Sequence, residues 1–238
     1  MKRWIVVGSA LLVGVVVGRP GWAYQAAEVK GGGTISGKVL YAGDPPPRKP
    51  MAITKDKEAC AKGEHLTEDL VVGREKGIQH VVVSLTDVKS GKRFPAGANY
   101  TLDQNGCKFI PHVLLVPAGA AVDILNSDGI LHNFHSQSVK NPSLNIAQPK
   151  FKKKMSQRFE KPETIKIACD VHGWMSGWIV VTEHPYHAVT EADGSFKLTD
   201  IPPGTYKAEF WQESLGRVTK DVTVKAGADT TVTVEMKK

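Results

Sequence analysis

Short runs of alternating polar and apolar residues, or of clustered β-branched and aromatic residues, recur along the chain. They include "TISGKVL" (34–40), "HVVVSLTDV" (80–88), "HVLLVPAG" (112–119), "AAVDILN" (120–126), "ETIKIAC" (163–169), "GWIVVTE" (177–183), "YKAEFWQ" (206–212), "RVTKDVTV" (217–224) and "TTVTVEM" (230–236). Each is bounded by Gly, Pro, Asp or Asn, as strands are. The last two alternate polar and apolar residues, which predicts strands with one face in solvent. No long stretch repeats its apolar residues every 3.6 positions. The pattern predicts an all-β protein, with β-sandwiches joined by Greek-key connections.

Three stretches punctuate the strands. "AGDPPPRKP" (42–50) reads as an extended loop, because proline removes the donors a central strand needs. "IPPGTY" (201–206) reads as a tight turn before a strand, and "EADGSF" (191–196) as a hairpin turn at Asp-Gly. With 238 residues, the chain has room for one large or two small domains.

Composition changes this picture at the N-terminus. "MKRWIVVGSALLVGVVVGRPGWA" has two basic residues, an apolar run and small residues ending at Ala23. It reads as a secretory signal over 1–23, the apolar run being short for a membrane span. Export, most simply to a periplasm, is expected, with no stable membrane span after cleavage. The formal charge of +7 falls to +4 when Lys2, Arg3 and Arg19 leave with the signal. One dense basic run, "KFKKK" (150–154), reads as a solvated loop or as a surface that steers an acidic partner, a membrane or a polyanion. No nucleic-acid motif accompanies it.

The candidate chemistry lies in "CDVHGWMSG" (169–177), where Cys169, His172 and Met175 fall within one loop between two strand signals. A thiolate, two imidazoles and a weak thioether are the donors of blue-copper chemistry, and the soft sulfurs keep Cu(I) bound after reduction. Zinc takes the same Cys and His side chains but is poorly served by Met. The second imidazole must come from a distant strand end, and "NSDGILHNFHS" (126–136) offers His132 and His135. His112 lies on a period-2 strand whose inward face the sequence does not fix. The chain has three cysteines, and an odd count in an oxidising compartment leaves one thiol to explain. If a metal holds Cys169, Cys60 and Cys107 are left as a disulfide pair. No nucleophile elbow, zinc-protease motif or haem-attachment motif is present, so an enzyme is not expected.

Two resemblances extend this reading. "AVTEADGSFKLTDIPPGTYKAEF" resembles the carboxypeptidase regulatory-like family of transthyretin-type sandwiches, whose opening strands look like "GTISGKVLYAGDPPP" (33–47) and "VVVSLTDVKSG" (81–91). The resemblance implies a discontinuous sandwich, 30–94 plus 185–238, with a second domain over 95–184 set into it or beside it; a disulfide between Cys60 and Cys107 would pin the two together. "FIPHVLLVPAGAAVDILNSDGILHNFH" and "IACDVHGWM" resemble the cupredoxins, with the short ligand loop of the amicyanin type. This implies a single copper ion held by His132, Cys169, His172 and Met175. It also implies that Asn133 ties the two ligand loops together by hydrogen bonds. Asp170 stands where cupredoxins often carry Ser or Thr, and His135 and His112 are candidate neighbours or extra donors. The function implied is electron transfer with a periplasmic redox partner. The alternatives are an extracytoplasmic sandwich that binds carbohydrate or protein, and a copper carrier.

Overall fold

The structure is a computed structural model describing residues 24–238, so the signal-like segment 1–23 lies outside the described residues. Among those described, no helix is long and apolar enough to cross a membrane. The molecule is built almost wholly from strands, in two sandwiches with separate apolar cores.

The first sandwich faces a four-stranded sheet against a three-stranded one. The four strands, in spatial order, are His187–Val189, Val82–Thr86, Gly204–Gln212 and Gly216–Val224. The three are Ser195–Ile201, Gly33–Tyr41 and Asp229–Met236, the last pairing in parallel with the chain's early strand. Alternation decides which residues face inward: Val232, Val234 and Met236 are buried while their neighbours are exposed. The Asp-Gly hairpin forms at 191–195, with Gly194 at φ +78°. A side chain there would also meet the Val39 carbonyl at 2.4 Å, so only glycine fits.

The second sandwich carries the candidate site. Its five-stranded sheet runs Leu144–Gln148, His132–Gln137, Glu163–Ala168, Ser176–Thr182 and Val113–Pro117. Its four-stranded sheet runs Lys154–Arg158, Ala121–Asn126, Tyr100–Gln104 and Phe109–Ile110. Phe109, Phe134, Phe159, Ile124, Ile165 and Ile167 fill the space between them. Each large side chain so buried stabilises the fold by roughly 2 kcal/mol before entropy is charged.

Residues 42–81 hold little regular structure. Ile53, Ala59 and Cys60 from this stretch pack on the second core, while Leu70, Ile78 and Val81 pack on the first. The chain therefore crosses from one sandwich to the other and returns. Cys60, at the end of the short helix Lys57–Cys60, is disulfide-bonded to Cys107. Elsewhere the sandwiches meet through Val82, Val113 and Val180, with Trp178 and Trp211 edge to face at 4.8 Å.

Candidate metal centre

The site sits at one end of the second sandwich, where two strand ends and one loop converge. The strand Ala121–Asn126 leads through residues 127–131 into His132–Gln137. Buried Asn126 holds this turn: its side-chain amide donates to the carbonyls of Ile130 at 2.8 Å and Gln148 at 3.0 Å, and its Oδ1 accepts from Gly129 N–H at 3.2 Å. Cys169 follows the strand Glu163–Ala168. The loop then folds tightly on itself: Met175 N–H donates to the His172 carbonyl at 2.9 Å, and Cys169 N–H to the Met175 carbonyl at 3.2 Å.

This folding brings three donor atoms together. The Nδ1 atoms of His132 and His172 are 3.0 Å apart, and Cys169 Sγ lies 3.8 Å from the first and 3.7 Å from the second. These are the separations spanned by nitrogen and sulfur atoms held about 2.0–2.3 Å from one common ion. All three side chains are buried. The outer ring nitrogens are engaged as well. His132 Nε2 meets Asp128 Oδ2 at 2.8 Å, and His172 Nε2 meets Asp56 Oδ2 at 2.8 Å. A carboxylate on Nε2 fixes the proton there, which leaves the Nδ1 lone pair facing the cluster. The residues present thus fit a soft or borderline transition-metal ion.

The electrostatics agree with a charged cluster. Burial alone would raise the Cys169 thiol, but the bond with His132 and backbone donors from Asn133, His172 and Val171 bring it below its ordinary value. Asn133 N–H reaches Sγ at 3.4 Å. Burial would likewise lower His132, yet Asp128 and Cys169 outweigh it and push the imidazole up to about 9. His172 moves the other way: burial and the nearby His132 lower it, and Asp56 only partly offsets them. Without an ion the site therefore holds a proton that a metal would have to displace.

Asn133 ties the two loops together. Its Oδ1 accepts from the Asp170 N–H at 2.5 Å, and its Nδ2 donates to Asn145 Oδ1 at 2.7 Å. Asp170 points away from the cluster, its carboxylate bonded to His135 Nδ1 at 2.9 Å and to Asn145 Nδ2 at 2.8 Å. That leaves His135 outside the donor group, on the face of the strand opposite His132. His112 is remote too: its ring meets Glu213 in the first sandwich and stands 5.1 Å from the His80 ring. Met175 is buried beside Trp174, lining a cleft with Met51, Glu68 and Asp69. Cys107 groups with Asp128 and His132, but its sulfur is in the disulfide and offers no thiolate.

Two functional side chains escape a reading of the sequence. Asp128 has a usable signal, the Ser-Asp-Gly turn four residues ahead of His132. Its carboxylate accepts from Gly106 N–H at 2.6 Å and Cys107 N–H at 2.9 Å. Burial opposes its ionisation, but His132 and these two donors leave it below the usual carboxylate range. Asp56 has no such signal: it reaches His172 across 116 positions.

Residues 178–237 match the family profile of the carboxypeptidase regulatory-like domain. No curated protein sequence is significantly similar to the chain. Among solved structures, a copper-containing nitrite reductase from Thermus scotoductus SA-01 is 25% identical, with a TM-score of 0.31, over 38% of this chain and 25% of that one. A purple cupredoxin from Nitrosopumilus maritimus is 21% identical, with a TM-score of 0.31, over 35% of this chain and 100% of that one. An oxidised mutant of amicyanin is 25% identical, with a TM-score of 0.32, over 37% of this chain and 85% of that one. The chain is thus similar to the carboxypeptidase regulatory-like domain over 178–237, and cupredoxins are among the solved structures that match part of it.

Proposed function

We propose that this chain is an exported mononuclear copper protein, not an enzyme, which passes single electrons to and from a periplasmic partner. The observation that supports it is the convergence of His132 Nδ1, His172 Nδ1 and Cys169 Sγ within 3.8 Å, with each remote ring nitrogen on a carboxylate. Met175, buried in the same loop, is the fourth donor in this reading. A bound copper ion would supply a one-electron couple. The chain's part is to hold the donors still. Asp128 and Asp56 fix both rings, the Asn133 backbone donates to the sulfur, and the strands beneath bury Phe134, Ile165 and Ile167 in the core. The thiolate and thioether favour copper over zinc.

The test is a Cu(II) titration of the protein lacking residues 1–23, followed by visible absorption and electron paramagnetic resonance. A strong thiolate-to-copper band that saturates at one equivalent and vanishes in Cys169→Ser is the expected result. A colourless protein that takes up no copper would leave a binding sandwich as the better reading.

A further inference from the structure

The basic run 150–154 has no part in the site as described, yet the fold sets it against one ligand. Gln148 is the register partner of His132, so the strand before the basic turn ends opposite that histidine. Lys154 is the register partner of Leu125, so the strand after it begins beside the strand that leads to the ligand turn. Asn126 clamps both: its backbone N–H donates to the Lys153 carbonyl at 2.9 Å, and its side chain to the Gln148 carbonyl at 3.0 Å. Turn 149–153 therefore lies against turn 127–131, whose last residue, Leu131, is bonded to His132.

What these turns expose is uncommon. Phe151, flanked by Lys150 and Lys152, is 86% exposed, and Leu131 is 46% exposed. Lys150 and Lys153 are exposed and Lys152 half-buried. Of the run only Lys154 is in an ion pair, with Asp123 at 2.7 Å, among the described residues. The opposite edge of the site differs. His172 is buried beneath Asp56, in a segment where Lys55, Lys57 and Lys62 are matched by Asp56, Glu58 and Glu64. Both histidines are fully buried, so the two edges differ in what the surface beside them carries: matched charges by His172, and unpaired lysines with two large exposed apolar side chains by His132.

We propose that turn 149–153 with Leu131 is the docking face for an acidic redox partner, so that electrons enter by the His132 edge and not the His172 edge. This rests on the copper reading above. Unpaired lysines steer an acidic surface into place, and Phe151 and Leu131 supply the small apolar contact that a short-lived complex needs. The exchange itself moves one electron: the partner is oxidised as Cu(II) becomes Cu(I), with no bond formed or broken and no proton transferred. From Leu131 the path to a donor atom is one peptide and one imidazole.

Two measurements test it. The first uses the copper-free protein and hexacyanochromate(III), a paramagnetic trivalent anion, with amide broadening followed by NMR. Broadening centred on 127–131 and 149–153 is expected; broadening centred on 53–62, or spread evenly over the lysines, would overturn the proposal whatever the metal. The second uses the copper-loaded protein in stopped flow, with hexacyanoferrate(II) and hexaammineruthenium(II) as anionic and cationic reductants at low salt. Combining Lys150→Glu, Lys152→Glu and Lys153→Glu should slow the anionic reductant about tenfold and speed the cationic one, with both effects gone near 1 M salt. Equal small changes for both reductants would overturn the proposal, as would a matching effect from Lys55→Glu with Lys57→Glu. Pelleting with phosphatidylserine vesicles, lost in Phe151→Ser, would assign the face to a membrane instead of a protein. Failure to form any coloured copper site would defeat the copper reading, and the hexacyanochromate map would still decide where anions dock.

Discussion

The two histidines of the site occupy matched positions with opposite outcomes. Both are buried, both turn Nδ1 inward, and both meet a carboxylate at 2.8 Å through Nε2. Yet His132 is pushed up to about 9 and His172 down. Cys169 helps to raise His132, and the charges of His132 and Lys55 help to lower His172; the rest of the difference lies in the carboxylates. Asp128 has a side chain only 7% exposed and is fixed by two backbone N–H donors. Asp56 is 40% exposed, so solvent screens it. A charge contributes in proportion to how firmly it is held and how little water it sees, not to distance alone. The Cys60–Cys107 disulfide touches both arrangements. Its first cysteine follows Asp56 by four positions, and the backbone N–H of its second donates to Asp128.

Breaking that shared anchor should have the largest effect. Cys60→Ser with Cys107→Ser opens a loop of 47 positions, and loop entropy sets the loss at about 4 kcal/mol in denaturant unfolding. A loss under 1 kcal/mol would mean that the 50–67 segment stays in place without it. Next comes Asp128→Asn, which removes the firmly held charge while keeping its shape. It should weaken metal affinity by roughly 10- to 100-fold in competition titrations. It should also cost the metal-free protein about 2–3 kcal/mol.

Glu163 sharpens the comparison, being a carboxylate pinned by donors but with no histidine partner. Burial would raise its pKa, yet Ser138, Asn141 and the N–H groups of Val139 and Lys140 bring it to about 2, against an ordinary value of 4.5. Its folded-state value is depressed, so its stabilisation is complete above pH 4.5 and is lost as pH falls from there towards 2. Glu163→Gln should cost about 1–2 kcal/mol at neutral pH. It should also flatten the acid limb of the stability profile within that window. Asp56→Asn should have the smallest effect: under 1 kcal/mol in unfolding, and a few-fold in metal affinity. If it matched Asp128→Asn, the screening argument would fail.

How much of this the sequence shows depends on where each residue packs. Strands buried on a broad face, such as Ser176–Thr182 and Gly204–Gln212, announce themselves through β-branched and aromatic residues. Leu144–Gln148 and Lys154–Arg158 do not, because each lies at the edge of its sheet and buries at most alternate residues. The sequence names Cys169, His172 and Met175 as one loop, and leaves His132 and His135 as rivals. Three positions along a strand of period 2 place those two on opposite faces, so the choice turns on which face is inward. Asn133 is readable by its neighbourhood. Asp56 is not, since nothing local marks a partner brought in by the returning chain. His112 shows the same limit, its ring going to Glu213 across the junction.

The path of residues 42–81 has one further consequence. Because Ile53 to Cys60 belong to the second core and the strands on either side to the first, the halves of this molecule are interlaced and not strung in series. A protease that severed the connection between 92 and 99 would release neither half. The fragments would stay covalently joined through Cys60 and Cys107, and would part only after reduction under denaturing conditions, because Gly33–Tyr41 and Val82–Thr86 remain paired within the first sandwich.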